Sequence, residues 1–358
     1  MKKQSKSGSF RSVVGLAAVG VMGLAACATA TSEVEPEATA VESIEASDCT
    51  PQNLRLATIR TEDDPTTLGA LAFAEGISAA TGGDLTVDVF PNGQLGGASD
   101  IYAGMASGQT ADIFYEGISL YPTLEGASAF TVVSVPFLWD SYDQMKAVLE
   151  TEKYRQLIDE AAQATGVRVV ATAGDSEPRA LSANRAILTA ADMEGLAIRI
   201  ADAPMPQAFA TAVGAKPQVI AFADLYLALR QGVVDAQENG AITMVNQSLM
   251  EVQSHYMPTN YIRDVRSWYF SETVWNSLCT DQQEAVKVEA EKAGAVTTAQ
   301  VAEQIATAMA TLEENLEVVD VDVESFRTAL EGVFEQFDGE VWPEGLLAET
   351  RLLAQENR

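Results

Sequence analysis

Residues 195–239 read GLAIRIADAPMPQAFATAVGAKPQVIAFADLYLALRQGVVDAQEN, and this stretch decides the fold. The pattern in Leu196–Ile200 predicts a strand that places Arg199 on the face opposite its two isoleucine neighbours. A helix that ends near Gly214 follows, and a second short strand is predicted at Val233–Ala236. Short strands that alternate with helices are typical of an α/β layer.

Two polar side chains follow the strands of this stretch. Arg199 falls near the carboxyl end of its predicted strand, and Asn239 lies just past the end of the next one. In open α/β sheets this edge is where ligands bind. A buried arginine is costly unless it is paired, and its planar guanidinium fits a carboxylate with two parallel hydrogen bonds. The stretch therefore predicts a carboxylate-binding site; the alternative is an internal salt bridge from Arg199 to Asp202 or Glu238.

Four segments carry a family resemblance. RIADAP (199–204) and AKPQVIAFADLYLALRQGVVDAQEN (215–239), with FPNGQLGG (90–97) and VPFL (135–138), resemble the substrate-binding proteins of tripartite ATP-independent periplasmic (TRAP) transporters, the DctP-type receptors. The resemblance covers nearly all of residues 54–320. It implies an α/β fold that is periplasmic binding protein-like, with two α/β lobes, a ligand cleft and a hinge of crossing segments.

The resemblance also implies site residues. Arg179 and Arg199 correspond to two cationic ligand contacts, Phe222 to an apolar or aromatic wall, and Asn239 to an amide partner. The chain departs from the family pattern at Asp202, three residues after Arg199. An acid there would repel a second carboxylate and favour a hydroxyl or ammonium group on the ligand.

Loops of the first lobe supply further candidates, because in the family the loops after the first and third strands line the cleft. The corresponding residues are Arg60, Glu62, Tyr115 and Glu116. Solvated loop charges are the alternative for the first two. The predicted strand at residues 261–270 crosses back to this lobe, and Arg266 or Trp268 on it is a candidate for reaching the cleft. A core position is the alternative for Trp268.

Composition limits the function classes. The chain has 358 residues, enough for two lobes with their own cores, and a formal net charge of −29. So acidic a chain argues against binding to nucleic acid or to anionic lipid. The one histidine, His255, excludes His-based triads and His-rich metal sites unless it carries them alone, and we expect no cofactor. G-x-S-x-G, H-E-x-x-H and P-loop motifs are absent, so we expect a binding protein and keep an exported enzyme as an alternative.

The amino terminus predicts export. A basic segment precedes the apolar residues Val13–Ala26, which are too few to span a bilayer. The tetrapeptide LAAC ends at Cys27 and resembles the bacterial lipobox, so we predict a lipoprotein signal peptide at 1–26 and a lipidated Cys27. An ordinary signal-peptidase site is the alternative. Residues 27–50 then hold the lipidated cysteine and an acidic tether without a packed core.

The remaining chain is divided by its crossing segments. We predict that lobe I comprises residues 51–176 with 265–304, and that lobe II comprises 177–264 with 305–325. Residues 326–358 are predicted to be a C-terminal helical segment packed across both lobes. In an exported chain, Cys49 and Cys279 suggest a disulfide, with two free thiols as the alternative.

These observations predict a periplasmic receptor, lipid-anchored through Cys27 and monomeric. It would close on a small organic acid by hinge motion. The resemblance implies that the small and large membrane subunits of a TRAP transporter are its partners. A ligand-sensing receptor for a membrane signalling protein remains an alternative.

Overall fold

The structure is a computed structural model that describes residues 49–358. The predicted signal peptide, Cys27 and the tether up to residue 48 lie outside this described part. Within residues 49–358, no helix combines the length and the apolar character needed to cross a membrane.

The described residues form two β-sheets. Their strands are β1 (Gln52–Ala57), β2 (Leu85–Phe90), β3 (Ile113–Gly117), β4 (Val167–Asp175), β5 (Arg179–Ala183), β6 (Ala197–Ile200), β7 (Lys216–Val219), β8 (Ala236–Glu238), β9 (His255–Ile262), β10 (Val265–Ser271) and β11 (Glu317–Val318). One sheet has the order β2-β1-β3-β10-β4, and the other has the order β11-β9-β5-β8-β6-β7.

Helices cover both sheets. They are α1 (Pro65–Ala80), α2 (Ala98–Ala106), α3 (Tyr142–Leu149), α4 (Glu152–Thr165), α5 (Pro204–Ala212), α6 (Leu225–Arg230), α7 (Ala241–Asn246), α8 (Glu272–Ser277), α9 (Thr280–Asn315), α10 (Val323–Ala329) and α11 (Leu346–Glu356). Several begin at a side-chain cap that satisfies a free backbone N–H, as Asp64 does for α1 and Ser141 for α3.

The chain passes between the sheets at three described connections, the third of which leads from β10 through α8 and α9 to β11. Residues 176–178 lead from β4 to β5, and residues 263–264 lead from β9 back to β10, which lies antiparallel between β3 and β4. Each sheet and its helices form one lobe: the five-stranded sheet builds the first and the six-stranded sheet the second. The predicted two-lobed α/β fold is therefore confirmed.

The strands of residues 195–239 differ from the prediction in two places. β6 matches the predicted first strand, β7 at Lys216–Val219 was not predicted, and the strand predicted at Val233–Ala236 is β8 at Ala236–Glu238. Residues 232–234 instead continue the turn after α6, and exposed Val233 does not enter the sheet. As a result Glu238 is a strand residue, beside Leu181 of β5.

Helix α9 is 36 residues long and contacts both lobes. It packs against α1 and β4 of the first lobe and against α7 of the second. Close approach requires a small residue, because a Cβ on Gly294 would lie 2.5–2.6 Å from atoms of Ala173 in β4. Cys279 caps the start of this helix and forms a disulfide with Cys49, which ties the start of the described chain to α9.

The C-terminal residues contact both lobes. Phe326 of α10 stacks on Phe209 of α5, with ring centroids 6.3 Å apart. Thr350 of α11 forms a hydrogen bond of 2.7 Å with the buried hydroxyl of Tyr154 in α4.

Candidate functional site

A cavity of about 470 Å³ lies between the two lobes, and both contribute to its lining. The first lobe supplies loops after β1, β2 and β3. The second supplies the ends of β5 and β6 and the loops after β6, β7 and β8. The polar and aromatic lining residues include Arg60, Asn92, Ser99, Asp100, Glu116, Arg179, Arg199, Asp202, Phe222, Asn239 and Asp264.

Arg199 is a buried cation on β6, with 2% of its surface exposed. Its Nε donates to the carbonyl oxygen of Ile220 at 2.9 Å, and no carboxylate of residues 49–358 forms a salt bridge with it. Burial lowers its pKa to about 10; the negative charge of Glu238 opposes this shift, and the nearby Arg179 and Arg60 add to it. The guanidinium is still protonated at neutral pH. The alternative ion pairs with Asp202 and Glu238 are not formed.

Arg179 lies on β5 beside Arg199, but its charge is paired. Its Nε and Nη2 both donate to the carboxylate of Glu238, the second at 2.6 Å, and Nη2 also donates to the carbonyl oxygen of Glu238 at 2.8 Å. The hydroxyl of Tyr261 donates to the same carboxylate at 2.8 Å. Burial alone would lower the pKa of Arg179, yet the charge of Glu238 raises it above its usual value.

Arg60 forms the equivalent pair in the first lobe. Its Nε and Nη2 donate to the two oxygens of Glu116, each at 2.8 Å, and Arg266 donates to the same carboxylate. Glu116 is completely buried. Burial would raise its pKa, but the charges of Arg60 and Arg266 bring it down to about 2. Glu116 therefore stays ionised and fixes the position of Arg60.

Phe222 and Asn239 stand beside these arginines. The ring of Phe222 lies 4.9 Å from the guanidinium carbon of Arg60 and 5.9 Å from that of Arg199. The amide of Asn239 donates to Gln237 at 2.6 Å and accepts from Arg179 at 3.3 Å. Both side chains line the cavity, and their roles as a wall and an amide partner for a ligand stay predictions.

Asp202 is exposed at the cavity and accepts a hydrogen bond of 3.3 Å from the hydroxyl of Ser99, which belongs to the other lobe. Glu62 is exposed and lies outside the cavity lining. Ser99 and Asn92 were not predicted. Asn92 lies within the glycine-rich segment 90–97 and Ser99 follows it, so the family resemblance of this segment was the available signal.

Tyr115 and Trp268 do not reach the cavity, and the prediction that they contact the ligand is corrected. Both are fully buried in the core of the first lobe, where their rings stack with centroids 3.8 Å apart. The Tyr115 hydroxyl donates to the carbonyl oxygen of Ala173 at 2.8 Å and to Thr297 at 2.9 Å. Successive strand residues face opposite sides, so Glu116 faces the cavity while Tyr115 and its cross-strand partner Trp268 face the core.

The described residues hold no group of His, Cys, Asp and Glu side chains arranged to bind a metal ion. The cavity offers the guanidinium of Arg199 without a carboxylate partner among the described residues, two further guanidinium groups held by buried carboxylates, an amide, an aromatic ring and the carboxylates of three aspartates. These groups can bind and orient an anion that carries hydrogen-bonding groups.

Comparison with known proteins shows a consistent set of relatives. Residues 56–340 match the family model DctP, described as bacterial extracellular solute-binding protein, family 7. A solute-binding protein of Roseobacter denitrificans is 31% identical over 280 residues, which span 77% of this chain and 84% of the relative. The C4-dicarboxylate-binding periplasmic protein DctP of Rhodobacter capsulatus is 29% identical over 219 residues, which span 61% and 65% of the two chains.

A solved structure agrees with these matches. It is a TRAP periplasmic solute-binding protein from Roseobacter denitrificans with bound L-galactonate. The TM-score is 0.78 at 28% identity, and the alignment covers 85% of this chain and 99% of that one.

Proposed function

Because the chain belongs to the DctP family of bacterial extracellular solute-binding proteins, which serve TRAP transporters, we propose that it is an extracytoplasmic receptor that binds a small organic acid between its lobes. The single observation that carries the ligand class is Arg199. A buried guanidinium without a carboxylate partner among the described residues is costly unless a ligand supplies the negative charge.

The cavity orients such an acid. Arg199 takes the carboxylate through its free Nη atoms, Asn239 supplies an amide, and the ring of Phe222 covers one side. A structural relative carries L-galactonate, and a sequence relative is named for C4-dicarboxylates. For this chain, Asp202 favours an acid whose far end carries hydroxyl groups, because its carboxylate accepts hydrogen bonds and repels a second anion. We therefore propose a sugar acid.

Closure of the lobes around the ligand prepares the receptor to deliver it to the membrane subunits of the transporter. Both lobes line the cavity, so binding favours the state in which they are together. The closed receptor is then recognised by the small and large membrane subunits of the transporter. The proposed lobe boundaries are those of the sequence, 51–176 with 265–304 and 177–264 with 305–325.

We also propose that the receptor is a periplasmic monomer anchored through lipid on Cys27. In the native host, Cys27→Ser is expected to move the chain from the membrane fraction to the soluble periplasmic fraction. Unchanged membrane association would argue against the anchor, and a dimer mass in light scattering would argue against the monomer.

A thermal-shift screen tests the proposed function. The purified chain, dialysed exhaustively to remove bound ligand, is heated with aldonates, uronates, aldarates, short dicarboxylates and neutral sugars. A true ligand at a thousandfold excess over its dissociation constant adds about 4 kcal/mol to the free energy of unfolding. We expect a rise in melting temperature with certain acids, a loss of this rise in Arg199→Ala, and no loss in Arg230→Ala, an exposed residue of α6. Stabilisation by neutral sugars alone would overturn the proposal.

A further inference from the structure

Three arginines line the cavity, but only one of them lacks a carboxylate partner among residues 49–358. Arg60 is paired with Glu116 and Arg179 with Glu238, and both carboxylates have no exposed surface. Glu238 is not part of the cavity lining; it lies behind Arg179 and receives a third hydrogen bond from Tyr261. Among the three arginines that line the cavity, Arg199 is therefore the one without a carboxylate partner in residues 49–358.

We propose that Glu238 is a specificity-determining residue, which neutralises Arg179 so that the cavity selects an acid with one carboxylate and several hydroxyl groups over a dicarboxylate. This inference rests on the proposed function, because it concerns the acid that Arg199 binds. Glu238 acts through Arg179 and does not touch the ligand.

The geometry of the Arg179–Glu238 pair leaves one nitrogen of Arg179 available as a hydrogen-bond donor. Its Nε and Nη2 are occupied by Glu238, whereas Nη1 donates no hydrogen bond within the described part of the chain. Arg60 leaves its Nη1 free in the same way. Each arginine can therefore donate to a ligand hydroxyl while it stays paired with a buried carboxylate, which Arg179 has to itself and Arg60 shares with Arg266.

The remaining charges at the cavity are negative. Asp100, Asp202 and Asp264 all line it, and none of them forms a salt bridge in residues 49–358. Arg266, which shares Glu116 with Arg60, lies outside the lining. A second carboxylate on the ligand would therefore meet repulsion and would have no cation of its own.

The test uses probes that differ by one carboxylate. L-galactonate and galactarate share a six-carbon hydroxylated chain, and galactarate carries a second terminal carboxylate. Gluconate with glucarate and erythronate with tartrate extend the comparison to other stereochemistry and length. Isothermal titration of the full chain gives the affinity for each member. We expect the wild type to prefer the monoacid of the pair that binds best. In Glu238→Gln, the diacid-to-monoacid affinity ratio should rise by roughly tenfold or more, because the charge of Arg179 becomes available.

Two further variants make the result decisive. Arg179→Gln combined with Glu238→Gln removes both charges of the pair and should keep the monoacid preference. Asp202→Asn changes an exposed residue that does not endanger folding, and it should raise the ratio in the same direction by a smaller factor. If Glu238→Gln does not fold, the wild type remains the test, because a wild type that prefers the diacid overturns the inference.

Failure of the inference and failure of the proposed function look different. If the wild type binds acids but prefers the diacid, the inference is overturned while the receptor function stands. An unchanged ratio in Glu238→Gln also overturns it. If no acid of any pair binds the wild type, the proposed function fails and the inference fails with it.

Discussion

The guanidinium carbon of Arg60 lies 4.9 Å from the centroid of the Phe222 ring, and the two residues belong to different lobes. Arg60 follows β1 of the first lobe, and Phe222 follows β7 of the second. Cation–π contacts of this length are attractive, and more so when both groups are shielded from water. The contact therefore bridges the cavity and favours the arrangement in which the lobes are together.

Removing this ring should weaken ligand binding. We expect Phe222→Ala to raise the dissociation constant by roughly 3- to 30-fold, because a shielded cation–π contact contributes about 0.5–2 kcal/mol. Phe222→Tyr, which keeps an aromatic face, should bind within a few-fold of the wild type. Isothermal titration with the acid found in the screen measures both. Wild-type affinity in Phe222→Ala would show that the bridge does not assist closure.

The low pKa of Glu116 makes stability depend on pH. This carboxyl has a pKa of about 2 in the folded chain, against an ordinary value of 4.5. Its ionisation therefore stabilises the fold fully above about pH 4.5, and this contribution is lost as the pH falls towards 2. The difference corresponds to roughly 3 kcal/mol.

The variant Glu116→Gln isolates this contribution. It leaves Arg60 and Arg266 buried without their carboxylate, so we expect a lower free energy of unfolding than in the wild type above pH 4.5. The gap between the two proteins should narrow as the pH is lowered towards 2. Urea unfolding at a series of pH values measures it, and a gap that stays constant with pH would contradict the assignment.

The disulfide should stabilise the chain without affecting the site. Cys49 and Cys279 are 230 residues apart in sequence, and closing so long a loop restricts the unfolded chain. We expect the double variant Cys49→Ser, Cys279→Ser to lose about 2–5 kcal/mol of stability and to keep its ligand affinity. Dithiothreitol should lower the melting temperature of the wild type and leave that of the variant unchanged. Equal melting temperatures for the variant and for the wild type with its disulfide intact would contradict this expectation.

The contact between α9 and β4 should not tolerate an added methyl group. In a helix, Gly→Ala normally gains about 1 kcal/mol, but the Cβ of Gly294→Ala would meet backbone atoms of Ala173 at 2.6–2.8 Å. We expect a net loss of about 1–3 kcal/mol because β4 and the helix must separate. Thermal unfolding of the variant and the wild type measures this loss. A gain in stability would contradict the prediction, because it would mean that α9 and β4 can separate at little cost.

Sequence patterns were sufficient for the fold and for the centre of the site. The alternation around Arg199, together with the matched segments, led to the two lobes and to the residues that line the cavity from the second lobe. Local pattern works there because β6 is short and its end coincides with the sheet edge at which ligands bind.

Ion pairs between residues that are distant in sequence could not be predicted from the local sequence pattern. Nothing near Arg179 in sequence shows that Glu238, 59 residues away, neutralises it, or that Glu116 holds Arg60. Tyr115 and Glu116 are adjacent in sequence, yet one faces the core and the other the cavity. Such choices depend on strand register, which is fixed by non-local contacts.

Titration of Arg199 variants with the acid found in the screen tests directly whether Arg199 binds the ligand carboxylate. We predict that Arg199→Ala loses at least roughly 100-fold in affinity, and that Arg199→Lys also binds weakly, because an ammonium cannot make the two parallel hydrogen bonds. Arg230→Ala should bind as the wild type does. If Arg199→Ala keeps its affinity within roughly threefold, Arg199 does not bind the ligand carboxylate and the account is wrong.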